Sequence, residues 1–376
     1  MLKPLLLLSL ACLPLLSPAL FADEPLKRHG SVTETDRPVQ VEGGFTGTLQ
    51  STSDGRIKNE GLASFDLVAI MRHGPGEWTA YVEGNLSPRV DGVSSTLLEV
   101  NGDAGTALDR DEKGRLQVSE LHYTYPFGEN SMTVGLLDPS CVLDSSEVAN
   151  DETSQFLSST FVNNPTIAFP DYTLGACVHF ESTLNRPGIN LLLTSSHGLA
   201  DNPNHSYAEL VDVTAAGKGL FIGSELYWQS SADIWRVGIW TSTADHAALD
   251  GSDRNEYNYG AYLSADHAFA HSKINLRLGA ANDDVSEAAG FASLALETTL
   301  AEHTLGAALG KTRVSSKAGS DKGDTLQAEV YMRFALRDNL HLSPSLQYIE
   351  NSDFDATGSH FDQKIAVYTL RAGYNF

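Results

Sequence analysis

The chain has 376 residues, 41% of them hydrophobic, and carries 48 acidic against 25 basic side chains for a formal net charge of −23. That balance repels polyphosphate and excludes nucleic acid as a partner. Beyond residue 22 no stretch reaches the ~18 to 20 consecutive apolar residues of a spanning helix, so the remainder is either soluble or crosses a membrane with strands.

Residues 1–22 read as a secretory signal peptide: Met1 and Lys3 lead an apolar stretch from Leu5 to Leu16, and Ala19 and Ala22 offer small-residue cleavage points. Along 23–376 strand signals recur with turn residues between them and no linker, which predicts a single domain. Export takes Cys141 and Cys177 into an oxidising compartment that allows a disulfide, and the sequence leaves open whether they meet.

Early in the chain, Trp78, Ala80 and Val82 alternate with Thr79, Tyr81 and Glu83. The run Asp109-Arg110-Asp111-Glu112-Lys113-Gly114 copies part of a calcium-binding loop, but Lys113 takes a ligand position and an alternating strand, Leu116 to Tyr125, follows where a helix should. The connection from Asp138 to Asp171 exceeds the ~12 to 15 residues of ordinary structureless loops and is expected to be functional. Within it Glu147 to Phe161 predicts a short helix: Asp144 to Ser146 offer caps, Val148, Ala149, Phe156 and Leu157 form an apolar side, and Asn163, Asn164 and Pro165 end it.

Ser195-Ser196-His197 lacks a nucleophile elbow and reads as polar loop, so no catalytic residue is assigned. His267 and His271 have helical metal spacing, but four residues of extended chain span ~13 Å, too far for one zinc ion. Trp235, Val237 and Ile239 flank Arg236, and Ile274, Leu276 and Leu278 flank Asn275 and Arg277. From Leu326 to Arg337, apolar Leu326, Ala328, Val330, Met332, Phe334 and Leu336 oppose Gln327, Glu329, Tyr331 and Arg333. The last strand sets Ala366, Tyr368, Leu370, Ala372, Tyr374 and Phe376 against Val367, Thr369, Arg371 and Gly373, with aromatics placed for an interfacial girdle.

Energetics fix the facing. Turning Arg72, Arg236, Arg277, Arg333 and Arg371 to lipid would cost roughly 10 to 20 kcal/mol if all sat deep, at ~2 to 4 kcal/mol each. The arginines therefore belong inside. Connections also alternate in length: short at 73–76, 128–130, 184–187, 230–233, 268–272, 300–303 and 337–339, long and polar at 51–62, 87–114, 138–171, 198–218, 243–256, 281–290, 315–324 and 350–363. These features predict an all-β fold, a transmembrane antiparallel β-barrel of about sixteen strands in the bacterial outer membrane, with short periplasmic turns and long outer loops. Acids crowd the long connections, among them Asp250, Asp283, Asp284, Asp321, Asp324, Asp353 and Asp355, either as a solvated surface or as sites where divalent cations bridge to anionic lipid.

The run Gly135-Leu136-Leu137-Asp138-Pro139-Ser140, then Glu147 to Glu152, Gln155-Phe156-Leu157 and Phe161 to Pro170, resembles the carbohydrate-selective porin (OprB-like) family of Gram-negative outer membranes. The resemblance covers roughly Gly135 to Gly175. It implies a water-filled barrel for passive diffusion of small carbohydrates, constricted by an inward-folding third outer loop that presents Glu147, Asn150, Asp151, Glu152, Gln155, Phe156, Asn163 and Asn164. The inferred pore lining is Glu83, Glu225, Arg236, Arg277, Glu329, Arg333 and Arg371, suited to pairing with hydroxyls or, alternatively, to holding the barrel round. Tyr81, Tyr227, Trp240, Tyr262 and Tyr331 could lie along sugar faces. No cofactor or metal is expected. The expected partners are small sugars or other small hydrophilic solutes, outer-membrane lipid and lipopolysaccharide, and the barrel assembly machinery through Phe376; an oligomer is compatible. The alternative is a general or charge-selective porin without sugar preference.

Overall fold

A computed structural model describes residues 39–105, 108, 113–183, 186–200, 206–318, 323–352 and 364–376. The signal peptide 1–22, the run Asp109 to Glu112, and Asp321, Asp353 and Asp355 lie outside them. The described residues form sixteen antiparallel strands in a closed barrel, each paired with its sequence neighbour and β1 with β16.

The strands are β1 (Val39–Thr52), β2 (Glu60–His73), β3 (Gly76–Asn85), β4 (Leu116–Phe127), β5 (Asn130–Leu137), β6 (Thr173–Phe180), β7 (Gly188–Ser195) and β8 (Leu220–Gln229) in the first half. The second half holds β9 (Asp233–Ala247), β10 (Asn255–Ala268), β11 (Ser272–Ala281), β12 (Ala288–Leu300), β13 (His303–Val314), β14 (Thr325–Arg337), β15 (Leu340–Glu350) and β16 (Ile365–Asn375). Every short turn and long connection expected from the sequence separates two of them. Gly74 (φ 62°) and Gly128 (φ 66°) supply the left-handed backbone of two tight turns.

Burial follows the period of two. On β16, Val367, Thr369 and Arg371 are buried while Tyr368, Leu370 and Tyr374 are exposed. On β9, Trp235, Val237 and Ile239 are exposed around buried Arg236. The exposed apolar side chains form an outward face of the kind that meets lipid in membrane barrels, reversing the arrangement of a soluble protein. Bulges break the rhythm locally: β3 and β4 shift register after Tyr81↔Glu120, so Ser119 and Glu120 are both buried. This bulge carries the inward set from Gln117 and Ser119 to Glu120, His122 and Thr124.

The barrel interior is filled from one side. The third outer loop, L3 (138–172), packs Val142, Leu143 and Ile167 against Leu137, Leu192, Phe221, Trp240 and Tyr262. It then lays Val148, Ala149, Phe156 and Phe161 on Ala295, Ala308 and Tyr331. The second outer loop, L2 (86–115), also turns inward, its short helix α1 (Val93–Thr96) bringing Val93 and Leu97 against Ile365 and Val367. Two cavities are left beside L3, one bordered by β1 to β9 and the other by β1 to β3 and the ends of β15 and β16.

The helix expected over Glu147 to Phe161 is not formed. L3 contains a 3-10 turn at Pro139–Cys141 and one α-helical turn, α2 (Ser159–Val162). The Asp151 carboxylate binds the backbone N–H groups of Thr153 and Ser154, and Gln155 Oε1 accepts from Asn150 N at 2.9 Å. Such local side-chain bonds compete with the helical ladder. Several other backbone groups, among them the carbonyls of Ala149, Ser154 and Gln155 and the N–H groups of Leu157 and Ser158, are met by charged side chains of the barrel wall.

Whether Cys141 and Cys177 meet was open from the sequence; in the structure both are free thiols. Cys141 Sγ lies 3.5 Å from Asp138 Oδ2, while Cys177 is enclosed beside Leu192 and Phe221 and bonds to Thr133. Denatured without reductant, the protein without its signal peptide should titrate as two thiols with a maleimide; none would restore the bridge.

Candidate functional site: a loop pinned to the barrel wall

Asp144 begins the pinning. Its left-handed backbone (φ 58°), tolerated by Asp better than by most residues, turns its N–H to Glu225 Oε2 (3.0 Å) and its carbonyl to Arg277 Nη2 (2.7 Å). Arg277, fully buried on β11, also donates to the carbonyls of Ala149 (2.8 Å), Phe161 and Val162 (3.3 Å), and its Nε lies 3.0 Å from Asp144 Oδ2. Gly279, two residues on, leaves room for Asn164 and Thr166 of L3, since a Cβ there would stand 2.1 Å from Thr166 Oγ1.

Further along, Arg371 donates to the carbonyls of Glu152 and, at 2.6 Å, of Gln155, and Arg333 to that of Ser154 at 2.9 Å. Glu329 accepts from Leu157 N (3.1 Å) and Ser158 N (2.9 Å). Lys273 pairs with Glu147 at 2.7 Å, and Ser146 Oγ binds Asp266, itself paired with Arg236 at 2.7 Å. Phe156 is buried edge-on to Tyr331 with centroids 5.1 Å apart.

All seven charges expected on the inner face are directed there, but they divide into two groups. Arg277, Glu329 and Arg371 are sealed beneath L3, and Arg333 is half-buried and tied to Ser154; they anchor the loop, which corrects the expectation that solutes touch them. Glu225 and Arg236 border a cavity of about 780 Å³ that also meets Glu147, Asn150, Asp151 and Gln155 of L3. Glu83 borders a second cavity of about 860 Å³, facing Asp151 and Glu152. The two share Val68, Tyr81 and Asp151.

Of the remaining loop residues, Asn164 is buried, and Asn163 closes α2, its N–H bonded to Ser159 O at 2.9 Å. Tyr81 and Tyr227 reach the cavities, whereas Trp240, Tyr262 and Tyr331 are covered by L3. The sequence reading missed Asp66 and counted Asp103 only among the acids of the long connections; both line the second cavity. The outer acids are less available than their number implied: Asp250 pairs with Arg254, Asp283 with Arg313, Asp284 with Lys317 and Asp324 with Lys311.

Ser195 Oγ accepts from His197 N at 3.3 Å and Ser196 Oγ from Gly219 N at 2.9 Å, while the His197 ring lies 3.9 Å from Glu209. His267 bonds Asp233 at 2.6 Å.

Electrostatics give L3 a pH dependence. Burial pushes the Asp144 carboxyl up to about 7 against the pull of Arg277; Glu225 and Asp266 reinforce the rise and Arg236 opposes it. A docked carboxyl that holds its proton more tightly than a free one stabilises docking at low pH and loses that contribution as pH rises from 3.8 towards 7. Single-channel current should therefore become noisier across that interval. Asp144→Asn should flatten the response; an identical profile in the variant would exclude Asp144 as its source.

The chain matches no protein-family model. A segment of 77 residues is 32% identical to an uncharacterized protein of Aquifex aeolicus (strain VF5), spanning 20% of this chain and a quarter of that protein's length. The high-pH structure of Pseudomonas putida OprB superposes with a TM-score of 0.68 over 90% of this chain and 94% of its own, at 12% identity. A mutant of the Rh. blastica porin covers 90% of this chain and all of its own with a TM-score of 0.55, also at 12% identity. What is shared at such identity is the architecture: the chain has the sixteen-strand barrel fold of these porins.

Proposed function

We propose that the chain is an integral outer-membrane porin through which small hydrophilic solutes, small carbohydrates foremost, diffuse passively past L3. The observation that carries this reading is the second cavity, which reaches from Asp103 in L2 to Asp338, Asn339 and Phe376 at the short-turn end. Along the wall it extends from that end to Thr46 and Asp66, midway along β1 and β2. Its lining is suited to hydroxyl-bearing cargo: Tyr81, Tyr172 and Asn375 stand beside Asp151 and Glu152, and weak repeated contacts let a solute leave as readily as it enters.

Liposomes containing the protein should swell faster in a monosaccharide than in an amino acid of similar size. Equal rates would remove the carbohydrate preference and leave a general porin. The same reading gives Phe376 a part in assembly: its N–H and carbonyl both bond Gly43, and its ring lies 5.9 Å from that of Phe45, where β16 meets β1. Deleting Phe376 should lower the yield of folded, heat-modifiable barrel; unchanged yield would deny it that part.

A further inference from the structure

Resting on the pore reading, we propose that L2 is a working half of the constriction: Gln327 and Gln347 are positioning residues that hold L2 against L3 and so set the size limit of the passage.

L2 has a built seat at the end of the barrel that carries the long connections. Ile349, Ile365 and Val367 turn inward there, and Val93, Leu97 and Val100 cover them, so that none of these side chains is more than 1% exposed. Removing that apolar surface from water favours the inward course of L2. Glu60, at the start of β2, fixes its entry by accepting from Arg89 N at 2.6 Å, from Ser94 N at 2.9 Å and from the Ser94 hydroxyl. Buried glutamines then grip the 3-10 turn Leu98–Val100 and the residue after it. Gln347 Nε2 donates to Val100 O at 2.9 Å, Gln327 Nε2 to Glu99 O at 3.3 Å, and Gln50 Oε1 accepts from Asn101 Nδ2 at 2.9 Å.

Wall and both loops meet at the Glu99 carbonyl. Besides the bond from Gln327, it accepts from the L3 hydroxyls of Ser158 (2.9 Å) and Ser159 (3.3 Å), and Gly102 N donates to Leu157 O at 2.7 Å. Leu157 and Ser158 are thereby held from two directions, since Glu329 takes their N–H groups from β14. The junction borders the passage: Asp103, next to Gly102, and Glu152 both line the second cavity, and a Cβ on Gly102 would stand 3.4 Å from that of Glu152. Parting L2 from L3 therefore widens that passage. Because the glutamines are uncharged, losing them removes a tether and leaves the charge of the lumen as it was.

The test is single-channel conductance and sugar-resolved liposome swelling of the full-length pore carrying Gln327→Leu with Gln347→Leu, which removes both donors and keeps side chains of similar size. Stranding a buried acceptor shifts an equilibrium about tenfold, so time spent at a larger conductance level should rise at least about tenfold. Disaccharides should enter faster, with the ratio of K⁺ to Cl⁻ passage unchanged. A bridge separates tethering from general loosening: Gly102→Cys with Glu152→Cys brings two Cβ atoms to about the span of a disulfide. Oxidising that pair in the glutamine variant should return conductance to that of the bridged pair with its glutamines intact, and reductant should undo the change; the single-cysteine variants control for Cys141 and Cys177. Should the glutamine variant fail to give a heat-modifiable barrel, Ser158→Ala with Ser159→Ala opens the same contact from L3. Native conductance and size limit in the folded variants, or a raised conductance that the closed bridge leaves in place, would overturn the proposal. Absence of any conductance in the native protein would instead remove the pore reading on which it rests.

Discussion

Replacing Arg277 with Ala should release L3 and raise single-channel conductance severalfold. The guanidinium gathers backbone carbonyls from Asp144, Ala149, Phe161 and Val162, so one side chain ties the start of L3 to the short helix α2. Removing it strands those acceptors and leaves the buried Asp144 carboxyl beside Glu225 without its nearest cation. Breaking one side of a buried pair costs about 3 to 5 kcal/mol, enough to shift a docked loop to a largely undocked one. Deleting Ala149 to Phe161 gives the upper limit of the effect, and Arg277→Ala should approach it. Conductance in both variants equal to that of the native pore would show that L3 does not limit flow. Arg371→Ala should act in the same direction, because Arg371 holds the carbonyls of Glu152 and Gln155 from a fully covered position.

Leu276→Arg, one residue away, should fail for the opposite reason. Leu276 is exposed at the middle of β11, on the face turned from Asn275 and Arg277. An arginine at the lipid midplane costs roughly 2 to 4 kcal/mol and brings no loop into play. The variant should lose thermal stability in detergent-free bilayers while any barrel that forms conducts as the native pore does. Full stability would mean that Leu276 does not meet lipid and that the facing of β11 is reversed.

These neighbouring positions show what the sequence displays and what it hides. Alternation is a local property, so the register of β11, β14 and β16 is plain from residues two apart, and the turns follow from the breaks between strands. The bulge at Ser119 is less plain, because Ser119 and Glu120 are both polar and a shift by one leaves no apolar residue out of place. Asp66 was obscured on β2, where Val68 and Ile70 point inward with it and the polar face no longer stands out. The course of L3 was the least readable. Its length announced a functional loop and its apolar residues suggested a helix, yet the groups that settle its backbone are Arg277, Glu329 and Arg371, over a hundred residues later. Nothing in Glu147 to Phe161 alone records that its carbonyls are met by guanidinium groups.

The central claim is a water-filled path narrowed by L3, and liposome swelling in a graded series of uncharged sugars tests it most directly. Monosaccharides should enter readily, disaccharides more slowly and larger oligosaccharides hardly at all, with the cut-off moving upward in Arg277→Ala. No swelling with any sugar, from protein shown to be folded in the bilayer, would contradict it.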